Sequence, residues 1–191
     1  MLSASRMAQE FYSGKILYPV MVALLVLSLF FGFAILPRLF AGAEGGPLVG
    51  KQAPPFTLPV VANGAGAAPG GTLSLDTLQG SPVVLDFWAT WCPPCRMEAP
   101  IVNKVAQRFK DRGLVVLGVD TGEPDGNARP WALQNGLSYP IVYDTDSLAA
   151  EHYGVSSMPT LVVISRAGKV TAVREGLTND AELESLVRGV L

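Results

Sequence analysis

The sequence is poor in the residues that bind metal ions and in charge of either sign. Its 191 residues include one histidine, His152, and two cysteines, Cys92 and Cys95, and charged residues account for 16% of the chain. These are too few soft ligands for a closed tetrahedral zinc site. Covalent haem attachment requires histidine directly after the second cysteine, where this chain has Arg96. A net charge of -2 provides no basic patch for nucleic acid. The composition therefore argues against these three classes of protein.

Apolar residues, by contrast, make up 49% of the chain, and their excess lies in one run. Residues 16–36 include no charged side chain, and 21 residues in a helix span roughly 30 Å, the thickness of the hydrocarbon core of a bilayer. We predict an uncleaved transmembrane anchor at 16–36, after a tail at 1–15 and before a linker at 37–49. The Ala-Gly-Ala sequence at 41–43 leaves cleavage by a signal peptidase open. Basic residues flank the run on both sides, so charge alone does not determine its orientation.

The remainder, residues 50–191, is predicted to be one domain organised around residues 83–109. Residues 83–88 form an apolar run that is interrupted only by Asp86, a pattern typical of a buried strand. Pro93 and Pro94 follow where a helix can begin without losing hydrogen bonds. The helix is predicted to pack through an apolar stripe at helical spacing: Met97, Ile101, Val102, Val105 and Phe109.

The two cysteines open this helix at a separation of three residues. That spacing places both sulfur atoms on one face, close enough to bond. Cys92 would face the positive end of the helix dipole, and Arg96 adds a positive charge, so Cys92 is predicted to be the nucleophile and Cys95 the resolving thiol. The alternative is a static disulfide, but a bridge across so short a loop removes little entropy from the unfolded chain.

Three motifs resemble the thioredoxin superfamily, and specifically the membrane-anchored TlpA/ResA-like thiol-disulfide oxidoreductases. They are the sequence Trp91-Cys92-Pro93-Pro94-Cys95, Pro100 within the following helix, and Met158-Pro159-Thr160, where the family has a cis-proline. The resemblance runs from about residue 50 to the C-terminus. It implies an α/β, thioredoxin-like three-layer fold with an N-terminal β-hairpin extension, preceded by the transmembrane helix. It also implies that substrates are bound by Trp91, Pro93, Pro94, Met158 and Pro159.

The order of predicted elements agrees with that fold. A hairpin extension is expected at 51–58 and 72–75, and a buried strand at 114–120. A helix at 125–135, a short edge extension at 140–143 and a short helix at 147–153 follow. The chain would end in a hairpin of residues 161–164 and 170–174 and a helix at 181–190, capped by Asn179 or Asp180.

Two acidic residues are predicted to lie near the thiols. Asp86 interrupts a buried strand, where a charge is costly unless it is paired or protonated, and it matches the buried aspartate of thioredoxins. Glu98 lies one helical turn after Cys95 and matches the acidic position of ResA-like proteins. Either can exchange a proton with Cys95, but Asp86 can instead be a structural acid and Glu98 a solvated one. The sequence does not decide between these roles.

The resulting hypothesis is a membrane-tethered, extracytoplasmic dithiol reductase in which Cys92 attacks a substrate disulfide and Cys95 resolves the mixed disulfide. No metal or organic cofactor is required. The resemblance implies that the partners are exported protein disulfides such as those of apo-cytochromes c, a CcdA- or DsbD-like membrane electron donor, and the lipid bilayer.

Two alternatives remain. A peroxiredoxin-like thiol peroxidase would have threonine three residues and proline seven residues before its reactive cysteine, where this chain has Ala89 and Leu85. A tethered binding or chaperone module would not need its cysteines at all.

Overall fold

The computed structural model describes residues 17–32, 46–63, 70–123 and 126–191. The chain divides into two units, Met1–Ala43 and Glu44–Leu191. In the first unit, helix α1 covers Leu17–Phe30. No helix within the described ranges is long and apolar enough to cross a membrane. The predicted anchor at 16–36 extends beyond the described part of this unit at both ends, and the predicted tail and the Ala-Gly-Ala sequence at 41–43 lie outside it.

The second unit is built on a sheet in which the described residues form seven strands in the order β2-β1-β5-β4-β3-β6-β7. Strand β3 pairs in parallel with β4 and β4 with β5, whereas the remaining pairs are antiparallel. The strands are β1 (Thr57–Ala62), β2 (Thr72–Ser74), β3 (Val83–Trp88), β4 (Val115–Thr121), β5 (Ile141–Asp144), β6 (Thr160–Ile164) and β7 (Val170–Glu175).

Helices cover both faces of this sheet, which gives three layers. They are α2 (Pro93–Phe109), α3 (Ala128–Gln134), α4 (Leu148–His152) and α5 (Asp180–Arg188), with short 3-10 turns at Leu75–Leu78 and Lys110–Arg112. Successive side chains of a strand point to opposite faces. Val84 and Trp88 of β3 therefore pack with α2 and α5, while Leu85 and Phe87 pack with α4.

The elements predicted for residues 50–191 are present, most with boundaries that differ by a few residues. The first hairpin strand, expected at 51–58, lies later in the chain, at Thr57–Ala62, and one placement within the sheet is wrong. Residues 140–143 were expected to extend an edge, whereas β5 lies inside the sheet and all four of its residues are buried. The reason is the N-terminal hairpin, because β1 pairs with β5 through Val60 and Val142 and so covers what would otherwise be the edge. The Thr72–Ser74 and Thr57–Ala62 strands of that hairpin confirm the predicted extension.

The buried apolar face predicted for α2 is wrong at one position, Met97. Met97 is 62% exposed, and the adjacent Glu98 is only 1% exposed. The inward face of the helix carries Cys95, Glu98, Ala99, Val102, Val105 and Phe109. A carboxyl group thus occupies the inward position that apolar periodicity assigned to methionine.

Gly118 is the residue of β4 that pairs with Asp86 of β3, and it makes room for large neighbours. A Cβ atom at this position would lie 2.7 Å from Ile141 Cδ1, 3.0 Å from Tyr139 Cε2 and 3.1 Å from Trp88 Nε1. These three side chains therefore pack over β4 at a position where only glycine leaves space for them.

We expect Gly118→Ala to lower the free energy of unfolding by ~1–3 kcal/mol, the usual cost of overpacking a core. Chemical denaturation of the oxidised protein measures this. Gly46→Ala is the matched control, because its Cβ would meet Val173 at an ordinary 3.7 Å. Equal stability of the two variants would show that the neighbours of Gly118 relax freely.

Candidate active site

Cys92 and Cys95 form a disulfide at the start of α2. Cys92 is the N-cap of this helix, and its Sγ accepts a hydrogen bond from the backbone N–H of Cys95 at 3.3 Å. Pro93 and Pro94, which have no N–H to satisfy, occupy the first helical turn. When the pair is reduced, the same N–H groups and the helix dipole favour a thiolate at Cys92.

The loop before β6 lies against the disulfide. The bond between Met158 and Pro159 is cis, as the motif predicted. The Sγ of Cys92 lies 3.7 Å from the carbonyl oxygen of Met158. The structure thus brings two motifs that are 66 residues apart in the chain into contact at the sulfur atom.

A groove of about 490 Å³ opens beside Cys92. Cys92 itself is only 3% exposed, whereas the side chain of the adjacent Trp91 is 61% exposed. Among the predicted substrate-binding residues, Trp91 and Met158 line this groove. Pro159 is buried, and Pro93 is exposed on the first turn of α2. The groove is also lined by residues around the start of α4: Asp146, Ser147, Ala150 and Glu151.

Sequence reasoning missed a carboxylate that holds the loop before Cys92. The side chain of Glu123 is buried and accepts two hydrogen bonds from Thr90, one from its hydroxyl at 2.6 Å and one from its backbone N–H at 3.3 Å. The hydroxyl of Tyr143 donates to the backbone carbonyl of Glu123. The loop that carries Trp91 and Cys92 is thereby tied to the segment after β4. The one signal available in the sequence was an acidic residue two positions after a largely apolar strand.

Asp86 and Glu98 are both buried beneath the disulfide helix, at 2% and 1% exposure. Asp86 Oδ2 accepts a hydrogen bond from the hydroxyl of Tyr139 at 3.2 Å. Glu98 Oε1 accepts one from the backbone N–H of Thr178 at 2.7 Å. Within the described part of the chain, the second oxygen of each carboxyl group has no hydrogen-bond partner. Neither Tyr139 nor Thr178 was anticipated, since nothing in their local sequence marks them as partners of an acid.

This burial changes the protonation of both groups. Burial raises the pKa of Asp86 to about 8; the negative charge of Glu98 adds to the rise and the hydrogen bond from Tyr139 opposes it. Burial likewise raises the pKa of Glu98 to about 7, against the opposing hydrogen bonds from Thr178. The two acids therefore gain and lose protons in the neutral range, where a thiol must also exchange its proton. Glu98 is not the solvated acid that was one of its two predicted roles.

No group of three or more potential metal ligands occurs in the described ranges. His152 lies on α4 and is exposed. The chemistry that this arrangement can perform is thiol-disulfide exchange coupled to proton transfer.

Comparison with known proteins agrees with this geometry. The AhpC/TSA family matches residues 49–173. The thiol-disulfide oxidoreductase ResA of Bacillus subtilis is 34% identical over 158 residues, which cover 83% of this chain and 84% of the relative. ResA of Bacillus thuringiensis is 31% identical and covers 93% of this chain and 97% of the relative. The crystal structure of a thiol:disulfide interchange protein of the thioredoxin family from Chlorobium tepidum superposes with a TM-score of 0.63 at 30% identity, over 73% of this chain and 94% of that one.

The raised pKa values predict how stability depends on pH. Between their ordinary pKa values of 3.8 and 4.5 and their raised pKa values of about 8 and 7, Asp86 and Glu98 hold protons in the folded protein that they have released in the unfolded chain. The free energy of unfolding should therefore be highest below pH ~4 with respect to these groups and fall as pH rises to ~8, by up to roughly 10 kcal/mol in total at ~1.4 kcal/mol per unit of pKa.

Asp86→Asn and Glu98→Gln should each flatten this decline, because neither amide titrates. Denaturation of the oxidised protein at a series of pH values measures the slopes. Asp111→Asn, at an exposed position beyond the far end of α2, is the control and should keep the decline of the wild type. A slope unchanged in both buried variants would mean that other groups cause it.

Proposed function

The chain belongs to the AhpC/TSA family and is a thioredoxin-like protein-disulfide oxidoreductase, and on this basis we propose that it is a membrane-tethered reductase of exported protein disulfides. The observation that carries the proposal is the Cys92–Cys95 disulfide at a helix N-terminus, beside an open groove and above two buried acids. Substrates would be proteins such as apo-cytochromes c.

In the proposed cycle, the Cys92 thiolate attacks one sulfur of a substrate disulfide, and the other substrate sulfur leaves as a thiolate that takes up a proton. Cys95 then gives its proton to a carboxylate, Asp86 or Glu98, and attacks Cys92. The second substrate thiolate leaves and is protonated in turn. The substrate gains two electrons and two protons, and the enzyme pair is oxidised to the observed disulfide.

The groove supports the assignment of Cys92 as the sulfur that meets the substrate. Cys92 lines the groove, whereas Cys95 lies on the buried face of α2 and is 2% exposed. The exposed Trp91 ring offers an apolar contact beside the sulfur, and the backbone of Met158 offers polar groups to an extended substrate segment. Pro93, Pro94 and Pro159 would shape this docking surface.

The reducing direction is supported by the buried acids. Strong oxidants stabilise their reduced form through a very low cysteine pKa. In this chain, two carboxyl groups that become charged in the neutral range oppose negative charge on sulfur, whereas Arg96 and the helix dipole favour it. The reduced pair is accordingly less stabilised and gives up its electrons more readily. A CcdA- or DsbD-like membrane protein would return them.

The membrane tether is supported by the sequence at 16–36 and by the described part of α1. Apolar side chains on every face of that helix are exposed, among them Leu24, Leu25, Leu27 and Leu29 at 60–69%. A helix that is apolar all round suits a lipid environment better than water. The tether would place residues 50–191 on the extracytoplasmic side, where protein disulfides form.

We expect Cys95→Ser to accumulate a mixed disulfide at Cys92, because attack on the substrate persists while resolution is lost. Non-reducing electrophoresis and peptide mass mapping of the full chain from cell membranes measure it. Cys92→Ser is the matched control and should trap nothing. Equal amounts of mixed disulfide from both variants would contradict the assignment of Cys92 as the nucleophile. No mixed disulfide from either variant would contradict the proposed reductase activity.

The equilibrium potential of the full chain in detergent should lie nearer to thioredoxin, at about -270 mV, than to the oxidant DsbA, at about -120 mV. Redox buffers followed by alkylation and mass analysis measure it. Asp86→Asn and Glu98→Gln should shift both the potential and the Cys92 pKa, most for whichever acid accepts the proton of Cys95. A potential close to that of DsbA would reverse the proposed direction.

A further inference from the structure

Asp86 is hydrogen-bonded to a residue that reaches it from two strands away. Tyr139 lies two residues before β5, whereas Asp86 lies in the middle of β3, and β4 runs between them. Gly118 is the β4 residue that pairs with Asp86, and a Cβ there would lie 3.0 Å from Tyr139 Cε2. The tyrosine ring therefore crosses β4 over a glycine to place its hydroxyl 3.2 Å from Asp86 Oδ2.

The same side chain belongs to a second groove, at the other end of the sheet from the disulfide. This groove measures about 600 Å³ and is lined by Tyr139 together with Ala106, Gln107, Lys110, Val116 and Ser138. Gln107 lies 15 residues after Cys92 along the chain, which corresponds to roughly 20 Å along α2. We call this second groove the far groove. Tyr139 is 3% exposed and connects the two places, because it lines the far groove and its hydroxyl is hydrogen-bonded to Asp86.

The proposed exchange cycle needs a route by which a buried carboxyl group exchanges its proton with water. A carboxylate that takes the proton of Cys95 must release it before the next turnover. Asp86, Glu98 and Cys95 are all at most 2% exposed, and a bound substrate would cover the groove beside Cys92. A proton route from the far end of the sheet would remain open while a substrate is docked.

We propose that Tyr139 is a proton relay that connects Asp86 to water in the far groove. The inference rests on the proposed function, in which a buried carboxyl accepts a proton from Cys95. Protonated Asp86 passes its proton to the phenolic oxygen of Tyr139 while the phenolic O–H passes its own proton to a water molecule in the far groove. The hydroxyl ends with one proton, as it began, and rotation returns it to its starting orientation. The reverse sequence reprotonates Asp86.

The surroundings of Asp86 contain few other groups that titrate. Glu98 faces it from α2, and its charge contributes to the raised pKa of Asp86. Cys95 is on the same buried face of α2. Gly118 from β4 and Leu161 from β6 flank Asp86 in the sheet and carry no ionisable group. Of the side chains with a hydrogen bond to Asp86 in the described ranges, Tyr139 is the one that also lines a groove.

The test measures proton access in the oxidised full chain, in detergent, and so does not depend on thiol chemistry. A rapid pH jump across about pH 8, where Asp86 titrates, is followed through the infrared carbonyl band of the protonated carboxyl group. The part of the band that disappears in Asp86→Asn identifies Asp86. Tyr139→Phe keeps the ring and removes the hydroxyl, and it should slow this proton exchange on the order of tenfold or more.

Tyr153→Phe is the matched control. Tyr153 is also 3% exposed and its hydroxyl donates one hydrogen bond, to the carbonyl of Pro54 at 2.9 Å, in the core on the other face of the sheet. This variant should exchange as fast as the wild type. Removal of the Tyr139 hydrogen bond raises the equilibrium pKa of Asp86 whether or not Tyr139 relays protons, so the exchange rate is the deciding quantity.

A second variant tests the route without altering Tyr139 or Asp86. Gln107 is exposed at the edge of the far groove, so Gln107→Trp should fold and cover the groove, and it should also slow the exchange. An unchanged rate in either Tyr139→Phe or Gln107→Trp would overturn the relay. Slowed exchange in a protein that reduces no protein disulfide would leave the relay in place and contradict the proposed function instead.

Discussion

A carboxyl group inside an apolar core must obtain hydrogen bonds or keep its proton, and two such groups lie between β3 and α2. Asp86 and Glu98 each accept hydrogen bonding at one of their two oxygens, and burial raises the pKa of both into or just above the neutral range. Because a thiol ionises in a neighbouring range, the state of the acids and the state of the cysteines influence each other. The fold is consequently less stable at high pH, and it holds two carboxyl groups that titrate near neutral pH beneath the disulfide.

The surroundings of the disulfide combine one local contact with two that are distant along the chain. The start of α2 supplies N–H groups to Cys92, the loop before β6 places the Met158 carbonyl beside it, and Glu123 holds Thr90 in the loop that leads to it. The parallel pairing of β3 with β4 explains the last of these, since parallel strands end at the same edge of the sheet and the segments that follow them meet there. The groove beside Cys92 is the space that remains between these segments and α4.

Sequence patterns were sufficient for several features of this chain, each for a local physical reason. The apolar run from Val83 to Trp88 predicted a buried strand, and the two prolines after Cys92 predicted the start of a helix because they lack N–H groups. The spacing of Cys92 and Cys95 on that helix predicted their bond. Pattern reasoning was wrong about Met97, because a helical stripe assigned by hydrophobicity cannot show that the neighbouring Glu98 turns inward. It was also wrong about residues 140–143, since the partner that covers them, β1, lies about eighty residues earlier in the chain.

The sequence by itself therefore determined the order of strands and helices, the redox pair and its position at a helix N-terminus, because these follow from interactions between residues close together in the chain. Only the tertiary structure decided which groups meet the two acids: Tyr139 reaches Asp86 across Gly118, and the backbone of Thr178 reaches Glu98 from the loop before α5. Protonation depends on the dielectric surroundings and on each hydrogen-bond partner. Both are properties of the packed core, formed by residues that no local pattern connects.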